Sequence, residues 1–146
     1  MNKNIMMDKD FVTEDSRKIP IIAESDVLVV GGGNITLMLQ KSKHPSIPPI
    51  REYLSRKNIS WEEVRRIMEP VDPLNFIHNF SPRPIQFHCG RFDEIVPAEA
   101  QRQLAEKAGE PKEVYWYDSG HNVPLDVVIP RVIDFFNKHL KGGFKQ

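Results

Sequence analysis

The sequence contains very little of what several classes of protein require. It has a single cysteine, Cys89, so it cannot form an internal disulfide or a CxxC metal-binding pair. No stretch approaches the ~18 consecutive apolar residues of a membrane span, and the polar residues 1–10 are unlike the apolar segment of a signal peptide. These absences predict a cytoplasmic protein that has no membrane association, no disulfide scaffold and no structural zinc site.

A surplus of one charge is also lacking, because 20 Lys and Arg residues balance 20 Asp and Glu residues. Nucleic acids and anionic membranes attract proteins with a basic surplus, so a net charge of zero disfavours both as partners. The histidines His44, His78, His88 and His139 form no short-spaced pairs with one another or with carboxylates, so no metal site is predicted. The length of 146 residues fits one ordinary domain and excludes two large ones.

Three runs rich in β-branched or aromatic residues predict strands at residues 26–30, 84–89 and 112–117. The first run, DVLVV, is continuously apolar, as expected for a strand covered on both faces of a parallel sheet. Glycines 31–33 follow it and predict a tight turn or a close backbone contact. A phosphate-binding loop is disfavoured, because the G-x-G-x-x-G pattern fails at Thr36 and no Lys-Ser/Thr pair follows. No cofactor is therefore predicted.

Helices are predicted between and after these strands. Ser60 opens a capping-box pattern whose helix ends before Pro70. Pro97 and Gly109 bracket a second helix. Residues 129–140 carry apolar side chains at i, i+3, i+4, i+7 and i+11, which is one face of a third helix. Alternating strands and helices favour an α/β fold with a short, mostly parallel sheet and flanking helices.

Two segments do not follow this alternation. Residues 1–25 mix charged and apolar residues and are predicted as an N-terminal arm or irregular segment, with a helix or an added strand as alternatives. Residues 35–80 are too many for a tight crossover and are predicted as a helical insertion in the main unit, residues 26–146. Within the insertion, the PSIPP run at 45–49 predicts a loop, and residues 50–57 a short helix.

An acid and a histidine follow the second and third predicted strands. Asp93 lies in the loop after the strand that ends near Cys89, and His121 lies in the equivalent loop after residues 112–117. In open α/β sheets, reactive groups collect beyond the carboxyl ends of the strands, so the two side chains are expected within hydrogen-bond reach. A carboxylate beside an imidazole fixes its tautomer and stabilises the imidazolium. Taken singly, Asp93 could instead cap the next helix and His121 could simply be exposed.

The segments around these two residues resemble a known family. FHCGRFDEIVP at 87–97 and YDSGHNVP at 117–124 are similar to the last two strand-helix units of an esterase-type α/β-hydrolase. Upstream, DVLVVGGGN and EPVDPLNFIHNF resemble other parts of that fold, so the similarity spans roughly residues 26–140. The resemblance implies a partial α/β-hydrolase-like three-layer fold, with Asp93 as the triad acid, His121 as the triad base and a small acyl or ester substrate.

The sequence departs from the family at the nucleophile. The family carries the nucleophile in a G-x-S-x-G elbow. No serine of this sequence has glycine both two residues before it and two residues after it; the serines are Ser16, Ser25, Ser42, Ser46, Ser55, Ser60, Ser81 and Ser119. Cys89, the one thiol, is interpreted as a small buried residue. A helix of roughly ten to fifteen residues before strand 26–30 would place the elbow at about residues 1–10, where the sequence has no Ser or Cys.

This departure leaves three hypotheses. The first is a hydrolase-like chain that corresponds to the C-terminal half of the family and is inactive alone. The second is a non-catalytic truncated domain that acts as a binding or assembly unit, with an open sheet edge that pairs with another copy or with a partner chain. The third is one chain of a split hydrolase whose partner supplies the serine.

Overall fold

The computed structural model describes residues 6–7, 11–14, 17–20 and 32–140. Within these ranges helices and strands alternate in the second half, and helices prevail between residues 35 and 80, where two 3-10 turns, Pro73–Asn75 and Ile77–Phe80, also lie. The elements are β1 Met6–Met7, β2 Phe11–Glu14, β3 Arg17–Pro20, α1 Ile35–Lys41, α2 Ile47–Arg56, α3 Trp61–Met68, β4 Ile85–Gly90, α4 Ala98–Lys107, β5 Lys112–Tyr117 and α5 Leu125–His139.

The centre of the second half is a parallel pair of strands. β4 and β5 run in register from Ile85 opposite Lys112 to Gly90 opposite Tyr117. Parallel neighbours need a crossover connection, and α4 is the helix that provides it. The described part is thus a small α/β fold, as the alternation predicts. The strand predicted at residues 26–30 lies outside the described residues.

The N-terminal strands form a separate antiparallel sheet in the order β1, β2, β3. β1 pairs with β2 over two residues and β2 pairs with β3 over four. These three short strands lie within the segment that was predicted as an arm or irregular region with an added strand among the alternatives.

The core lies where α4 covers β4 and the 3-10 turns. Ile77, Ile85, Leu104 and Ala108 form its buried centre, and partly buried apolar side chains pack around it. Gly33 lies against this core, because a Cβ at that position would come within 2.7 Å of Leu104 Cδ1. The close backbone contact predicted for the glycine run is therefore present at Gly33.

Two helices begin earlier than the sequence predicts. The loop prediction for residues 45–49 is wrong at its last three positions, because α2 begins at Ile47 and carries two prolines in its first turn. Proline is tolerated there, since the first helical N–H groups have no intrahelical acceptor. α5 begins at Leu125, four residues before the predicted periodic segment.

The apolar face predicted for α5 is only partly buried. Val128 is 8% exposed, whereas Ile129 is 52% and Ile133 is 40% exposed. Relative to the predicted face, the inner side of α5 is shifted toward Val128 and Arg131, and the Arg131 guanidinium lies over the ring of Tyr115 on β5 at 4.1 Å from the centroid. The long guanidinium side chain thus occupies space between α5 and the sheet, and part of the apolar stripe faces outward. No helix in the described ranges is long and apolar enough to cross a membrane.

Candidate functional site

The two predicted site residues follow strand ends that lie side by side. Gly90 ends β4 and Tyr117 ends β5, and the two are register partners. The loops after them therefore leave the same edge of the sheet. The backbone N–H of Arg91 donates to the carbonyl of Tyr117 at 2.9 Å, and that of Phe92 donates to the carbonyl of Ser119 at 2.9 Å. These bonds continue the strand pairing beyond the sheet and hold the two loops together.

The loop after β5, which carries His121 and is called the His loop, crosses directly over the end of β4. A Cβ at Gly90 would lie 2.2 Å from the carbonyl oxygen of Gly120 and 2.9 Å from that of Ser119. Both obstacles are backbone atoms, so they cannot turn aside as a flexible side chain could. Glycine at position 90 is therefore required for the close crossing that brings His121 beside Asp93.

The Asp93 carboxylate is held by four hydrogen bonds, two on each oxygen. Oδ1 accepts from the backbone N–H groups of Ile95 at 2.8 Å and Val96 at 2.9 Å. Oδ2 accepts from Gln101 Nε2 at 3.0 Å and contacts His121 Nδ1 at 3.0 Å. The side chain is only 6% exposed. Asp93 thus caps the turn before α4 and contacts the imidazole at the same time, so its structural and functional interpretations are compatible.

The tautomer of a neutral His121 ring follows from this contact. An ionised carboxylate can only accept hydrogen bonds, so Nδ1 of a neutral His121 carries the proton and Nε2 keeps its lone pair. The His121 side chain is 53% exposed, and no residue within 32–140 hydrogen-bonds to Nε2. The ring therefore has the form of an oriented base whose reactive nitrogen is available for a proton.

No serine within residues 32–140 hydrogen-bonds to His121. The Ser119 hydroxyl, nearest in sequence, donates to the carbonyl of Gly120 at 3.3 Å. The Ser46 hydroxyl contacts His44 Nδ1 at 2.7 Å in an exposed loop, not His121. Three further serines serve the fold: Ser42 and Ser81 donate to the carbonyls of Ile95 and Glu110, and Ser60 caps α3.

Cys89 is also unsuited to attack a substrate. It is 3% exposed at the end of β4. Burial first, and the nearby Asp93 charge second, raise the pKa of its thiol to about 11. Because the thiolate is the nucleophilic form, the side chain remains a neutral buried thiol, as the sequence interpretation holds.

Gln101 is the one member of the site that sequence reasoning missed. It lies on α4, is 8% exposed, and donates to the carbonyl of Val96 at 2.6 Å as well as to Asp93. A signal was available: positions 101, 104 and 105 share the buried face of α4, so a glutamine there interrupts an apolar stripe. A buried amide needs partners, which makes such an interruption informative.

A second polar cluster lies between the sheet and α5. Arg131 donates to the Tyr117 hydroxyl at 2.9 Å, and that oxygen lies 2.8 Å from His88 Nδ1. His88 Nε2 lies 2.8 Å from Gln86 Oε1, and Gln86 Nε2 donates to Glu113 at 2.8 Å. The carboxylate fixes the amide orientation of Gln86, whose oxygen then requires a proton on His88 Nε2. Tyr117 consequently donates to Nδ1, and the chain is satisfied with a neutral ring.

The charges around His88 favour that neutral ring. Burial first, and the positive charge of Arg131 second, lower its pKa, while Glu113 acts weakly in the opposite direction. The ring also stacks beside Tyr115 and Tyr117, with centroid distances of 5.5 and 5.9 Å. This cluster ties α5 to both strands.

The helical insertion borders a polar cleft of about 440 Å³. Its lining includes Asn34, Arg65, Arg66, Glu69 and the buried Asp72 but neither Asp93 nor His121. Asp72 accepts from the backbone N–H groups of Asn34, at 2.8 Å, and of two further residues, so its carboxylate is already satisfied. Within the described residues, no group of three or more His, Cys, Asp or Glu side chains could hold a metal ion.

Comparisons with known proteins add nothing to this geometry: no family model matches the sequence, and no curated protein matches it significantly.

Proposed function

We propose that Asp93 and His121 are the acid and base of an α/β-hydrolase-like site for an acyl or ester substrate. The observation that carries the proposal is the 3.0 Å contact between Asp93 Oδ2 and His121 Nδ1. In this arrangement Nε2 of His121 removes a proton from an attacking hydroxyl and returns it to the leaving group. Asp93 keeps the ring in the required tautomer and stabilises the imidazolium.

The proposal includes the absence of a nucleophile in this chain. No serine of the sequence has the elbow pattern, and the hydroxyl contacts described for residues 32–140 lead away from His121. The chain alone is therefore proposed to have negligible triad-type hydrolysis. In the related split-enzyme hypothesis, a second chain supplies the serine together with the donors that stabilise the oxyanion.

The base role is tested by ¹⁵N NMR of the imidazole nitrogens at about pH 8, which distinguishes the two tautomers of a neutral ring. The native protein is expected to have His121 protonated on Nδ1. In Asp93→Asn, the amide oxygen takes the Oδ1 position facing two backbone N–H groups, so the amide nitrogen faces Nδ1 and the proton moves to Nε2. Asp118→Asn is the matched control, because Asp118 lies in the His loop but pairs with Arg91. An unchanged tautomer in Asp93→Asn contradicts the base role.

The missing nucleophile is tested separately. The purified chain is incubated with a fluorophosphonate probe and with a p-nitrophenyl ester. Neither labelling nor hydrolysis above that of His121→Ala is expected. Stoichiometric labelling at any of the eight serines would refute this half of the proposal without affecting the NMR result.

Assembly with a second copy of the chain is a second candidate function, and the outer side of α5 favours it. Leu125, Ile129 and Ile133 recur at every fourth position and are 62%, 52% and 40% exposed. An apolar stripe of this kind is typical of a helix that packs against another surface. Among the described strands, β4 and β5 pair only with each other. The open sheet edge expected from the sequence is a further proposed surface for a homo-oligomer or partner chain.

Light scattering across micromolar concentrations tests assembly. The native chain is expected to be dimeric and Ile133→Lys monomeric. Ile67→Lys is the matched control, because Ile67 is also exposed, at 57%, but lies on α3. A native chain that is monomeric throughout contradicts this candidate.

A further inference from the structure

Gln101 contacts the candidate acid at the same carboxylate oxygen as the imidazole. Its Nε2 donates to Asp93 Oδ2 at 3.0 Å and to the carbonyl of Val96 at 2.6 Å. One amide group thus binds both the carboxylate and the backbone of the turn that Asp93 caps. Gln101 is itself 8% exposed, so water competes little for these bonds.

We infer that Gln101 is a positioning residue of the site, which directs the second oxygen of Asp93 toward His121. This inference rests on the proposed acid-base role of the pair. Oδ1 is fixed by two backbone N–H groups, but those bonds alone do not fix the plane of the carboxylate. A carboxylate oxygen accepts hydrogen bonds along two directions. Gln101 occupies one direction on Oδ2 and leaves the other for His121 Nδ1.

The effect of Gln101 is orientational rather than electronic. Two donors on one oxygen compete for its charge, so the amide does not strengthen the bond to His121 by polarising Oδ2. Loss of the Gln101 amide, however, removes one of the two hydrogen-bond partners of Asp93 Oδ2. The Asp93 side chain is only 6% exposed, so this oxygen is almost buried. Such an oxygen turns toward another donor or admits water, because an unsatisfied buried acceptor is costly. Either change weakens the hold of Asp93 on the imidazole.

The amide orientation of Gln101 is determined by its surroundings. Both contacts of Nε2 are to acceptors, a carboxylate and a carbonyl, so the nitrogen and not the oxygen must face Asp93. A glutamate at this position would place a second negative charge against the carboxylate, and a methionine would keep the length while removing the donor. Gln103 offers a matched comparison on the same helix, because its amide oxygen accepts from Asn34, at 2.7 Å, and does not contact Asp93.

The test is the tautomer of His121 in the full chain at about pH 8, read from the ¹⁵N signals of the ring. In Gln101→Met, the ratio of the Nδ1–H to the Nε2–H form is expected to fall about threefold or more, in keeping with the loss of a single hydrogen bond to the acid. Gln103→Met is expected to leave the ratio unchanged, and both variants are checked for native near-ultraviolet circular dichroism. A merely structural role of Gln101 would lower stability without moving the ratio.

Different outcomes contradict different statements. If Asp93→Asn changes the tautomer and a folded Gln101→Met does not, the inference about Gln101 fails while the proposed function stands. If neither variant changes it, the proposed function fails as well. If Gln101→Met does not fold, the role of Gln101 is tested in the native protein by the hydrogen exchange rates of the Gln101 and Gln103 side-chain amides. Protection of the Gln101 amide about tenfold beyond that of Gln103, together with loss of that protection in Asp93→Asn, supports the role; equal exchange overturns it.

Discussion

Gly90 and Gly120 approach so closely that a Cβ on Gly90 would lie 2.2 Å from the carbonyl oxygen of Gly120. This crossing brings the loop after β5 against the end of β4 and places His121 beside Asp93. The candidate site therefore depends on a backbone contact between two residues that have no chemical function of their own.

Gly90→Ala is expected to lower the free energy of unfolding by about 1–3 kcal/mol or more, because the added methyl group meets immovable backbone. It should also separate the two loops and remove the Nδ1–H tautomer of His121. Gly120→Ala is the control, since a Cβ there has its nearest neighbour, the carbonyl oxygen of Phe92, at an ordinary 3.8 Å. Urea unfolding and imidazole NMR of both variants measure the effect; equal stability of the two would contradict the crossing.

The His88 cluster predicts a pH-dependent stability. The folded state lowers the pKa of His88 below its ordinary value of 6.5, so the unfolded chain binds the proton more readily. The contribution of His88 to the free energy of unfolding is then fully present above about pH 6.5. It is lost as the pH falls from there toward the folded-state pKa. The groups facing the ring are Tyr115, Tyr117, Gln86, Glu113 and Arg131.

The measurement compares urea unfolding of the native chain and of His88→Gln at a series of pH values. Carboxylates that titrate at lower pH contribute to both proteins and cancel in the difference. The variant is expected to lose less stability than the native chain between neutral and mildly acidic pH. Parallel curves would show that His88 does not contribute.

Lys112 is expected to stabilise the end of α4. Its Nζ donates to the carbonyls of Ala105 at 2.9 Å, Glu106 at 3.3 Å and Ala108 at 2.8 Å. These carbonyls have no intrahelical partner, and a cation there also interacts favourably with the helix dipole. Lys112→Met should cost about 1–3 kcal/mol of unfolding free energy. Lys107→Met, on an exposed residue in the last turn of the same helix, should cost far less, as thermal or urea unfolding can determine.

Cys89 is expected to resist thiol reagents. A rise in pKa from 9.0 to about 11 reduces the thiolate fraction at about pH 8 by about 100-fold, and burial restricts access further. Reaction with dithionitrobenzoate should therefore be at least that much slower in the native chain than in the urea-unfolded chain. Rapid labelling without denaturant would place the thiol at the surface.

The strands of the parallel pair could be predicted closely, because β-branched and aromatic runs bounded by proline and glycine are local signals. Helix α4 could be predicted equally well, since Pro97 and Gly109 bracket it. Residues 47–49 and the start of α5 were misjudged, because proline is compatible with a first helical turn and because periodicity locates a helix face better than its beginning.

The rotation of α5 could not be predicted either. The apolar pattern identifies Ile129 and Ile133 as one face, but the space beneath the helix is filled by Arg131 and Tyr115. A guanidinium over an aromatic ring is a contact between elements, and hydrophobic periodicity does not reveal it. Gln101 is a similar case, since its polar character was visible in the sequence but its partner was not.

The sequence by itself determined that an acid and a histidine follow consecutive parallel strands and that no serine lies in an elbow pattern, since both depend only on residue order and local type. The tertiary structure decided what the two residues do to each other. The 3.0 Å contact and the proton on Nδ1 require the close crossing at Gly90, whereas the bond from the Gln101 amide to Asp93 requires the start of α4 to pack against the carboxylate. That crossing exists because parallel register brings two strand ends level, which no local pattern encodes.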